Sequence, residues 1–366
     1  MMQTPEMITG SYAPQDVTFL LKPVKIALTD IAAKERLIQS GKAHYSEMIS
    51  EERRPDARYM EIFEAARAAG VDRIAHEICK LARELAHRVA QGTLPRQITL
   101  CSLVRAGVPY GVLLQRELAV LGVDCHHFGV SIIRDRGLDS NAIAYILRSR
   151  DVAGIVFVDG WTGKGAIAAE LQKSWYDLTG REDVWLVVLA DPGGFATLSG
   201  SQDDWLIPSG ILGANVSGLI SRSILSSDVI GIDDFHGSVP VGHLADIDVS
   251  RDFVDQITVL TAQYRTAEYA LAAPQNREAL KACALTCIVN IAEKFNITNL
   301  NRIKPGIAEA TRAVLRRRPK QVFIRSASEL DVSALIHLCK TDGIKMVEDA
   351  TLTGPYRAIT LIEKVV

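Results

Sequence analysis

Residues 155–166, IVFVDGWTGKGA, carry the residue types that bind phosphate at the end of a β-strand. Four apolar residues lead into Asp159, and the turn that follows contains three glycines, a threonine and a lysine. Such a turn exposes successive backbone N–H groups, which bind phosphate oxygens without side-chain bulk in the way. The P-loop pattern needs a glycine five residues before Gly163 and a serine or threonine after Lys164, and both are absent. The segment therefore predicts another kind of phosphate cradle, and the alternative is an ordinary turn with a helix cap.

Two other predicted strands end in cationic residues. QITLCSLVRAGVPYG (97–111) has the pattern of a buried strand, a turn at Arg105–Gly107 and a helix. Residues 124–133 form the next strand, and Arg134 and Arg136 follow it directly. Ligands of parallel sheets bind outside the carboxyl ends of the strands, so these residues are candidates for one site together with the first motif. The alternatives are a surface turn for the first arginine and a solvated turn with local aspartates for the other two.

The order of the predicted elements indicates the fold class. Continuous apolar strands alternate with helices, among them an aspartate-capped helix over 73–91, which is typical of βαβ units in a parallel sheet. A second unit that begins near residue 274 has the order helix, helix, strand, helix, strand, strand. We therefore expect an α/β fold in which residues 1–272 form the larger domain and residues 273–366 form a helix plus a smaller α/β domain.

Composition excludes several classes of protein. The 366 residues are 48% hydrophobic and 23% charged, which is a globular composition. The 41 lysines and arginines nearly balance the 43 aspartates and glutamates, so the whole chain has no basic field for nucleic acid. The six cysteines include no CxxC pair, which favours reduced thiols, and no apolar run is long enough to span a membrane. We expect a cytoplasmic protein with no membrane partner.

The two glycine-containing loops resemble those of the type I phosphoribosyltransferases. In that family an apolar strand, two acidic residues and a Thr/Gly turn bind the ribose and 5-phosphate of phosphoribosyl pyrophosphate, and an Arg-Ala-Gly loop binds the pyrophosphate. IVFVDGWTGKGA departs from the pattern at the second acid, which is Gly160 here, and its threonine comes one position early. The resemblance implies a phosphoribosyltransferase-like fold and a Mg²⁺-dependent transfer in which Asp159 grips the ribose hydroxyls. The other residues it implies at the site are Arg105, Ala106, Gly107, Arg134, Arg136, Trp161, Thr162, Gly163, Lys164 and Gly165.

The whole chain resembles a subgroup of predicted phosphoribosyltransferases from tellurite-resistance and stress operons, also labelled a cysteine protease family (StiP). The segments that carry this resemblance include HYSEMISEE, SLVRAGVPYGVLLQR, VDGWTGKGAI and IPSGILGANVSGLISRSIL. Members have a C-terminal pelota-like RNA-binding domain, and KPGIAEATRAVLRR is similar to its Gly-x-x-Glu-x-x-Lys/Arg signature, with Ala308 in place of a base-contacting asparagine. This implies RNA as a possible partner. The supporting basic run is Lys304, Arg312, Arg316, Arg317, Arg318 and Lys320.

Residues 205–250 form a glycine-rich stretch with little apolar periodicity. Long irregular segments in compact domains are commonly functional. We interpret this segment, called the hood below, as the part that selects the acceptor, and the alternative is a subunit-contact loop in a homodimer. Its candidate binding residues are Ser209, Asn215, Ser217, Arg222 and His236.

Three functions are thus open. The first is a transferase that uses phosphoribosyl pyrophosphate and Mg²⁺, passes the phosphoribosyl group to an unidentified small-molecule acceptor and releases pyrophosphate. The second is a thiol peptidase, which needs a low-pKa cysteine beside a histidine. The third is a non-catalytic nucleotide sensor that binds RNA. The peptidase candidates are Cys101 or Cys125 with His126, His127, His236 or His243.

Overall fold

The structure, a computed structural model, describes residues 8–267 and 276–364. Its strands are β1 (Thr18–Phe19), β2 (Lys22–Pro23), β3 (Gln97–Leu103), β4 (Asp124–Val130), β5 (Ile132–Ile133), β6 (Gly137–Leu138), β7 (Ile155–Trp161), β8 (Leu186–Ala190), β9 (Leu198–Ser201), β10 (Gly237–Ser238), β11 (Ile303–Pro305), β12 (Pro319–Ile324), β13 (Met346–Glu348) and β14 (Ala358–Ile362). Its α-helices are α1 (Ile31–Gln39), α2 (Ala57–Ala90), α3 (Val108–Val120), α4 (Ser140–Ile146), α5 (Ala166–Thr179), α6 (Ser250–Thr261), α7 (Arg277–Lys294), α8 (Ile307–Arg316), α9 (Ser333–Thr341) and α10 (Ala350–Thr353).

A six-stranded parallel sheet with the order β1-β4-β3-β7-β8-β9 forms the centre of the larger part of the chain. This confirms the predicted α/β fold class. The two strands that end in the glycine-containing loops, β3 and β7, are direct neighbours, with Ser102 opposite Val158. Their carboxyl ends therefore meet at one edge of the sheet.

Helices cover both faces of this sheet because successive strand residues point to opposite sides. Leu100 and Val156 belong to a core that also contains α2 and α3, whereas Cys101 and Phe157 pack with α4 and α5 on the other face. One helix of 34 residues, α2, includes the segment for which the sequence predicts a helix over 73–91.

The C-terminal part has a separate sheet with the order β11-β14-β12-β13, in which only β12 and β13 are parallel. Helix α8 packs on β14 and also against the hood, where Ala308 lies beside Gly210. Residues from both parts belong to one hydrophobic cluster. The C-terminal sheet is thus docked on the larger part of the chain through α8.

The hood contains short turns of 3₁₀ helix and the two-residue strand β10, which pairs with β2. Residues 204–212 are buried throughout, so this irregular segment is an internal part of the fold. Among the residues that the structure describes, no helix is both long and apolar enough to cross a membrane.

Candidate functional site

The loop between β7 and α5, residues 161–165, forms a cradle of backbone donors. Within the described ranges, the N–H groups of Gly163, Lys164 and Gly165 have no hydrogen-bond acceptor. Gly165 precedes the helix with φ of 79°, and a Cβ there would lie 2.4 Å from the Phe195 ring. Glycine is therefore required for this turn, and the open donors at a helix start suit an anion.

Thr162, predicted to donate to the phosphate, is already engaged. Its hydroxyl donates to the Asp191 carboxylate, which also accepts N–H bonds from Phe195 at 2.8 Å and Ala196 at 2.9 Å. Thr162 is buried, and its own N–H donates to the Ala190 carbonyl. The threonine thus fixes the shape of the loop through Asp191.

Asp159 lies at the end of β7 with its Oδ1 accepting the Gly160 N–H at 2.8 Å. Burial raises the pKa of this carboxyl to about 7, and the bond from Gly160 only partly offsets that effect. A Cβ at Gly160 would lie 3.2 Å from Cε2 of Tyr110 and 3.4 Å from the Ala106 carbonyl oxygen. Gly160 stands where the phosphoribosyltransferase pattern has its second acid. The ring of Tyr110 occupies the space beside that position.

The Arg105–Gly107 loop lies directly against β7. A Cβ at Gly107 would be only 2.0 Å from the Val158 carbonyl oxygen, so the two backbones approach as closely as glycine allows. The peptide bond between Val104 and Arg105 is cis. Like the first cradle, this loop has free donors, because the N–H groups of Arg105 and Ala106 have no acceptor within the described residues.

These two loops border one cavity of about 190 Å³, which we call the phosphate cavity. The C-terminal part supplies its opposite wall, including Lys304, Glu309 and Arg312, none of which the sequence indicated as site residues. In the sequence, Lys304 and Arg312 belong to the basic run and Glu309 and Arg312 to the pelota-like signature, and both patterns were interpreted as RNA contacts. The charged groups that line the cavity are Arg105, Arg134, Asp159, Lys164, Lys304, Glu309 and Arg312.

Cations dominate the phosphate cavity. Burial and the neighbouring ammonium of Lys304 lower the pKa of Lys164 to about 7. Burial also raises the pKa of Glu309, but Lys304 and Arg312 more than offset it, and the net shift is downward. The Arg312 guanidinium lies 4.6 Å from the centre of the Trp161 ring, which is within cation–π range. The Lys164 ammonium donates to the carbonyls of Leu300 and Ile303 and so joins the loop to the C-terminal part.

Arg134 and Arg136, predicted to act at one mouth, are separated. Arg134 lines the phosphate cavity and donates to Oδ1 of Asn301 at 3.1 Å. Arg136 lines a different cavity, 3.7 Å from Oε1 of Glu47. Asp135 between them has φ of 65°, so the tight turn sends the two side chains apart. The structure therefore does not bring the two arginines to one cavity.

The Arg105 side chain leaves the phosphate cavity. Its guanidinium enters a second cavity of about 470 Å³, where it contacts Oε2 of Glu52 at 2.6 Å and the Ile220 carbonyl at 2.8 Å. Arg105 therefore offers backbone to one cavity and charge to the other. The sequence did not single out Glu52, because it lies 53 residues away from its partner.

The hood residues are distributed over several places. Asn215 and Arg222 line the second cavity. Ser209 is hydrogen-bonded to the Tyr110 hydroxyl, and Ser217 donates to the Gly213 carbonyl at 2.8 Å; both serines are buried. His236 contacts the Ser131 hydroxyl at 2.7 Å and lines the cavity beside Arg136. The hood is thus not one binding surface.

The thiols lack the environment of a nucleophile. Burial raises the pKa of Cys101 well above its usual value and that of Cys125 to about 12. His127, on the same strand as Cys125, is hydrogen-bonded to Ser102 and to a backbone carbonyl, and burial lowers its pKa to about 4. In residues 8–267 and 276–364 no cysteine sulfur is hydrogen-bonded to a histidine ring.

The basic run of the C-terminal part does not form one exposed patch. Arg317 forms two hydrogen bonds with the buried Glu35, and Arg316 lies 4.0 Å from Glu52, so both face the larger part of the chain. Lys304 and Arg312 line the phosphate cavity. Only Arg318 and Lys320 are exposed. The run therefore does not have the continuous solvent-facing surface that an RNA contact through all six residues requires.

Comparisons with known proteins cover nearly the whole chain. A family described as tellurite-like stress resistance cysteine protease StiP matches residues 10–258, and the PELOTA RNA binding domain matches residues 282–364. The curated “Cysteine protease StiP” of Acinetobacter baylyi is 47% identical over 97% of this chain and 94% of its own length. These matches confirm the family resemblance and the pelota-like domain.

Two solved phosphoribosyltransferase structures are similar to part of this chain. The hypoxanthine phosphoribosyltransferase of Trypanosoma cruzi is 14% identical with a TM-score of 0.29, covering 36% of this chain and 77% of its own. The enzyme of Leishmania tarentolae described as HGPRT-ase, in complex with GMP, is 14% identical with a TM-score of 0.28, covering 34% and 76%.

Proposed function

The chain belongs to the StiP family of tellurite-like stress resistance proteins, and within that family we propose that it is a phosphoribosyltransferase that uses phosphoribosyl pyrophosphate. One observation carries this proposal. Two loops with free backbone donors end adjacent parallel strands and border a single cationic cavity. A ligand with a phosphate at one end and a pyrophosphate at the other has the charge and the two-ended form that this arrangement suits.

Charge supports the same ligand. Arg134, Lys164, Lys304 and Arg312 bring up to four positive charges to the cavity, against the carboxylates of Asp159 and Glu309. Burying an uncompensated cation is costly, so an excess of this kind suits a polyanion. The Gly163–Gly165 donors would hold the 5-phosphate, and the Arg105–Ala106 donors would hold the pyrophosphate.

Phosphoribosyl transfer breaks the bond between ribose C1 and the pyrophosphate oxygen, whose electron pair leaves with pyrophosphate. The acceptor's lone pair forms the new bond to C1. Asp159, once ionised, would accept the ribose hydroxyl protons in hydrogen bonds and stabilise the positive charge that develops on the ring. Lys164 and Arg134 would stabilise the charge on the phosphates. The C-terminal wall would keep water from competing with the acceptor.

The phosphate cavity offers two carboxylate side chains that could bind magnesium. Asp159 and Glu309 are carboxylates that line the same cavity, one from each part of the chain, and they would hold the ion. Such a small set suits a Mg²⁺ that takes its other oxygen ligands from phosphates and water. When bound, the ion would supply charge neutralisation at the leaving pyrophosphate.

The geometry supports the two rival functions less well. Peptide cleavage by a cysteine needs a low-pKa thiol beside a base, whereas the thiols of Cys101 and Cys125 have raised pKa values. RNA binding is what the name of the matching C-terminal family describes. Here, however, the signature helix α8 faces the phosphate cavity, so its Glu309 and Arg312 are turned toward the proposed phosphoribosyl ligand.

Calorimetric titration with phosphoribosyl pyrophosphate, with and without Mg²⁺ at pH 8, tests the proposal. We expect the wild type to bind and Asp159→Asn to lose at least tenfold in affinity. Asp183→Asn is the matched control, because Asp183 forms an exposed ion pair with Arg181 outside the cavity. Absence of binding by the wild type under both conditions would contradict the proposal, as would equal binding by Asp159→Asn.

A further inference from the structure

The second cavity has no role in the proposed transfer and carries an unusual set of charges. It lies between α1, the 49–59 segment, the hood and the end of α8, and its volume of about 470 Å³ is in the range of small-molecule sites. Four of the cations that line it are Lys34, Arg105, Arg222 and Arg316, of which Lys34 and Arg105 are buried.

The two acids near these cations compensate them only in part. Glu52 forms its ion pair with Arg105 at 2.6 Å and also accepts the Ala214 N–H at 2.7 Å. The Glu52 oxygen that accepts the Ala214 N–H, Oε1, lies 4.0 Å from the Arg316 guanidinium. That distance is too long for a hydrogen bond. The adjacent buried acid, Glu35, is held by two bonds from Arg317.

Two of the cations lack hydrogen-bond acceptors within the described residues. The ammonium of Lys34 forms no hydrogen bond or ion pair there, although the residue is only 8% exposed. Arg316 has only its long contact with Glu52. Burial and the neighbouring arginines lower the pKa of Lys34 to about 8, and burial and Arg105 lower that of Arg316 to about 9. The buried Lys34 and the partly buried Arg316 repel the neighbouring arginines and have no close acceptor, which favours the arrival of an anion.

Two arginines at the cavity rim are paired with acids, and the exposed Lys25 also lines the cavity. Arg53 contacts Asp342 at 3.3 Å, and Arg54 forms a double hydrogen bond with Asp246. Asp56 accepts the Tyr59 N–H and caps α2. Glu51 is exposed. The rim therefore leaves the inner excess of positive charge in place.

Apolar side chains make up much of the remaining wall. They include Ile49, Ile211, Leu212, Val241 and Leu315. An inorganic anion would leave these surfaces in contact with water, whereas an organic anion covers them and gains from their burial. The lining thus suits a ligand that joins an anionic group to an apolar body.

From these observations we propose that the second cavity binds a small organic anion, a carboxylate or phosphate ester on an apolar or aromatic body of up to about nucleotide size. The inference is independent of phosphoribosyl transfer, because Lys34, Arg222 and Arg316 do not line the phosphate cavity. Arg105 alone belongs to both.

The experiment compares two matched pairs of probes by calorimetry. Adenosine monophosphate is paired with adenosine, and indole-3-acetate with indole-3-acetamide, so that each pair differs mainly in charge. We expect at least one anion to bind at least tenfold more tightly than its neutral partner. The pair that responds distinguishes a phosphate ester from a carboxylate.

Substitutions show which of the two cavities binds the anion. Arg316→Gln should weaken the anion at least tenfold without changing the affinity for its neutral partner, and Lys34→Met provides a second, independent test. Arg318→Gln is the matched control, since this arginine pairs with Glu363 on the surface. Lys164→Gln, in the phosphate cavity, should change the affinity less than twofold.

Four results would overturn the inference. They are binding of neither anion, equal binding of charged and neutral partners, unchanged affinity in folded Arg316→Gln and Lys34→Met, and loss of binding only in Lys164→Gln. Loss of phosphoribosyl pyrophosphate binding in Asp159→Asn concerns the other cavity alone, so the two proposals fail separately.

Discussion

The two cavities that share Arg105 both contain cationic side chains but differ in the rest of their lining. The phosphate cavity has backbone donors from two glycine-containing loops on adjacent strands, and the second cavity has guanidinium and ammonium groups that project between apolar walls. Main-chain donors hold a ligand group in a fixed geometry, whereas long cationic side chains adapt to ligands of different shape. The first cavity should therefore be selective for one kind of phosphate compound, and the second should accept a class of anions.

The contrast extends to what keeps each cavity in shape. Glycine contacts at Gly107 and Gly165 shape the first, where any Cβ would collide with neighbouring atoms. Ion pairs shape the second, in which Arg317 and Glu35 hold the end of α8 against α1. Substitutions should thus affect the two cavities by different mechanisms.

The largest effect is expected for Arg317→Ala. Glu35 is fully buried and accepts bonds of 2.6 and 2.7 Å from this arginine, so the substitution removes its ion-pair partner and leaves it the bond from Gln39. Loss of one partner of a buried ion pair costs about 3–5 kcal/mol. Urea unfolding should show this loss, together with weaker anion binding in the second cavity.

Arg318→Ala is the comparison for that change. Its contact with Glu363, at 3.3 Å, joins two half-exposed side chains, and exposed pairs contribute about 0–1 kcal/mol. Similar urea midpoints for the two variants would show that Arg317 does not hold the second cavity together.

Gly107→Val should affect the phosphate cavity selectively. Its Cβ would lie 2.0 Å from the Val158 carbonyl oxygen, so the loop must move away from β7. Overpacking of this kind costs about 1–3 kcal/mol, and displacement of the cradle should abolish phosphoribosyl pyrophosphate binding. Anion binding in the second cavity should persist, as calorimetry on the same sample can show.

The control for the glycine is Gly242→Ala. No atom lies within 4 Å of the Cβ position there, so neither stability nor binding should change. If Gly107→Val retains normal affinity for phosphoribosyl pyrophosphate, the close approach of the two loops is not what forms the site.

A further expected effect is a change in the pH dependence of stability in Asp159→Asn. Burial raises the pKa of Asp159 to about 7 in the folded protein, whereas a carboxyl in the unfolded chain titrates near 4. Between those values the folded protein retains a proton that the unfolded chain has lost, so stability falls as the pH rises from about 4 to about 7.

Asparagine cannot ionise, so this decline should be absent from the variant. Thermal unfolding should show Asp159→Asn becoming progressively more stable than the wild type from pH 5 to pH 8. In Asp183→Asn, where the carboxyl is exposed, no such gain should develop. A difference that stays constant with pH would mean that Asp159 is not a carboxyl whose ionisation is opposed by burial.

The phosphate cavity could be predicted in part because each of its two glycine-containing loops is a single short stretch of sequence. Each follows a continuous apolar strand, and parallel strands bring their carboxyl ends together. The second cavity could not be predicted in this way, since Lys34, Glu52, Arg222 and Arg316 belong to distant segments with no shared spacing.

Individual predictions failed where tertiary contacts override local signals. Asp72 had the pattern of a helix cap, but it lies inside the continuous helix α2, where its carboxylate accepts bonds from Gln263 and Tyr264. Thr162 had the pattern of a phosphate donor, but its hydroxyl donates a hydrogen bond to the distant Asp191. Each of these three partners lies more than 25 residues from the residue it contacts, which is beyond the range of local sequence patterns.

The contacts of the phosphate loop with the C-terminal part restrict how this protein can change in evolution. Tyr356 donates to the Gly163 carbonyl, and Lys164 donates to carbonyls near β11, so the loop is completed by residues more than 130 positions away. A gene fusion that exchanged the C-terminal domain for an unrelated domain would remove the wall of the cavity along with it. The two halves must therefore be inherited as a unit, and substitutions on one side of their border should be accompanied by substitutions on the other.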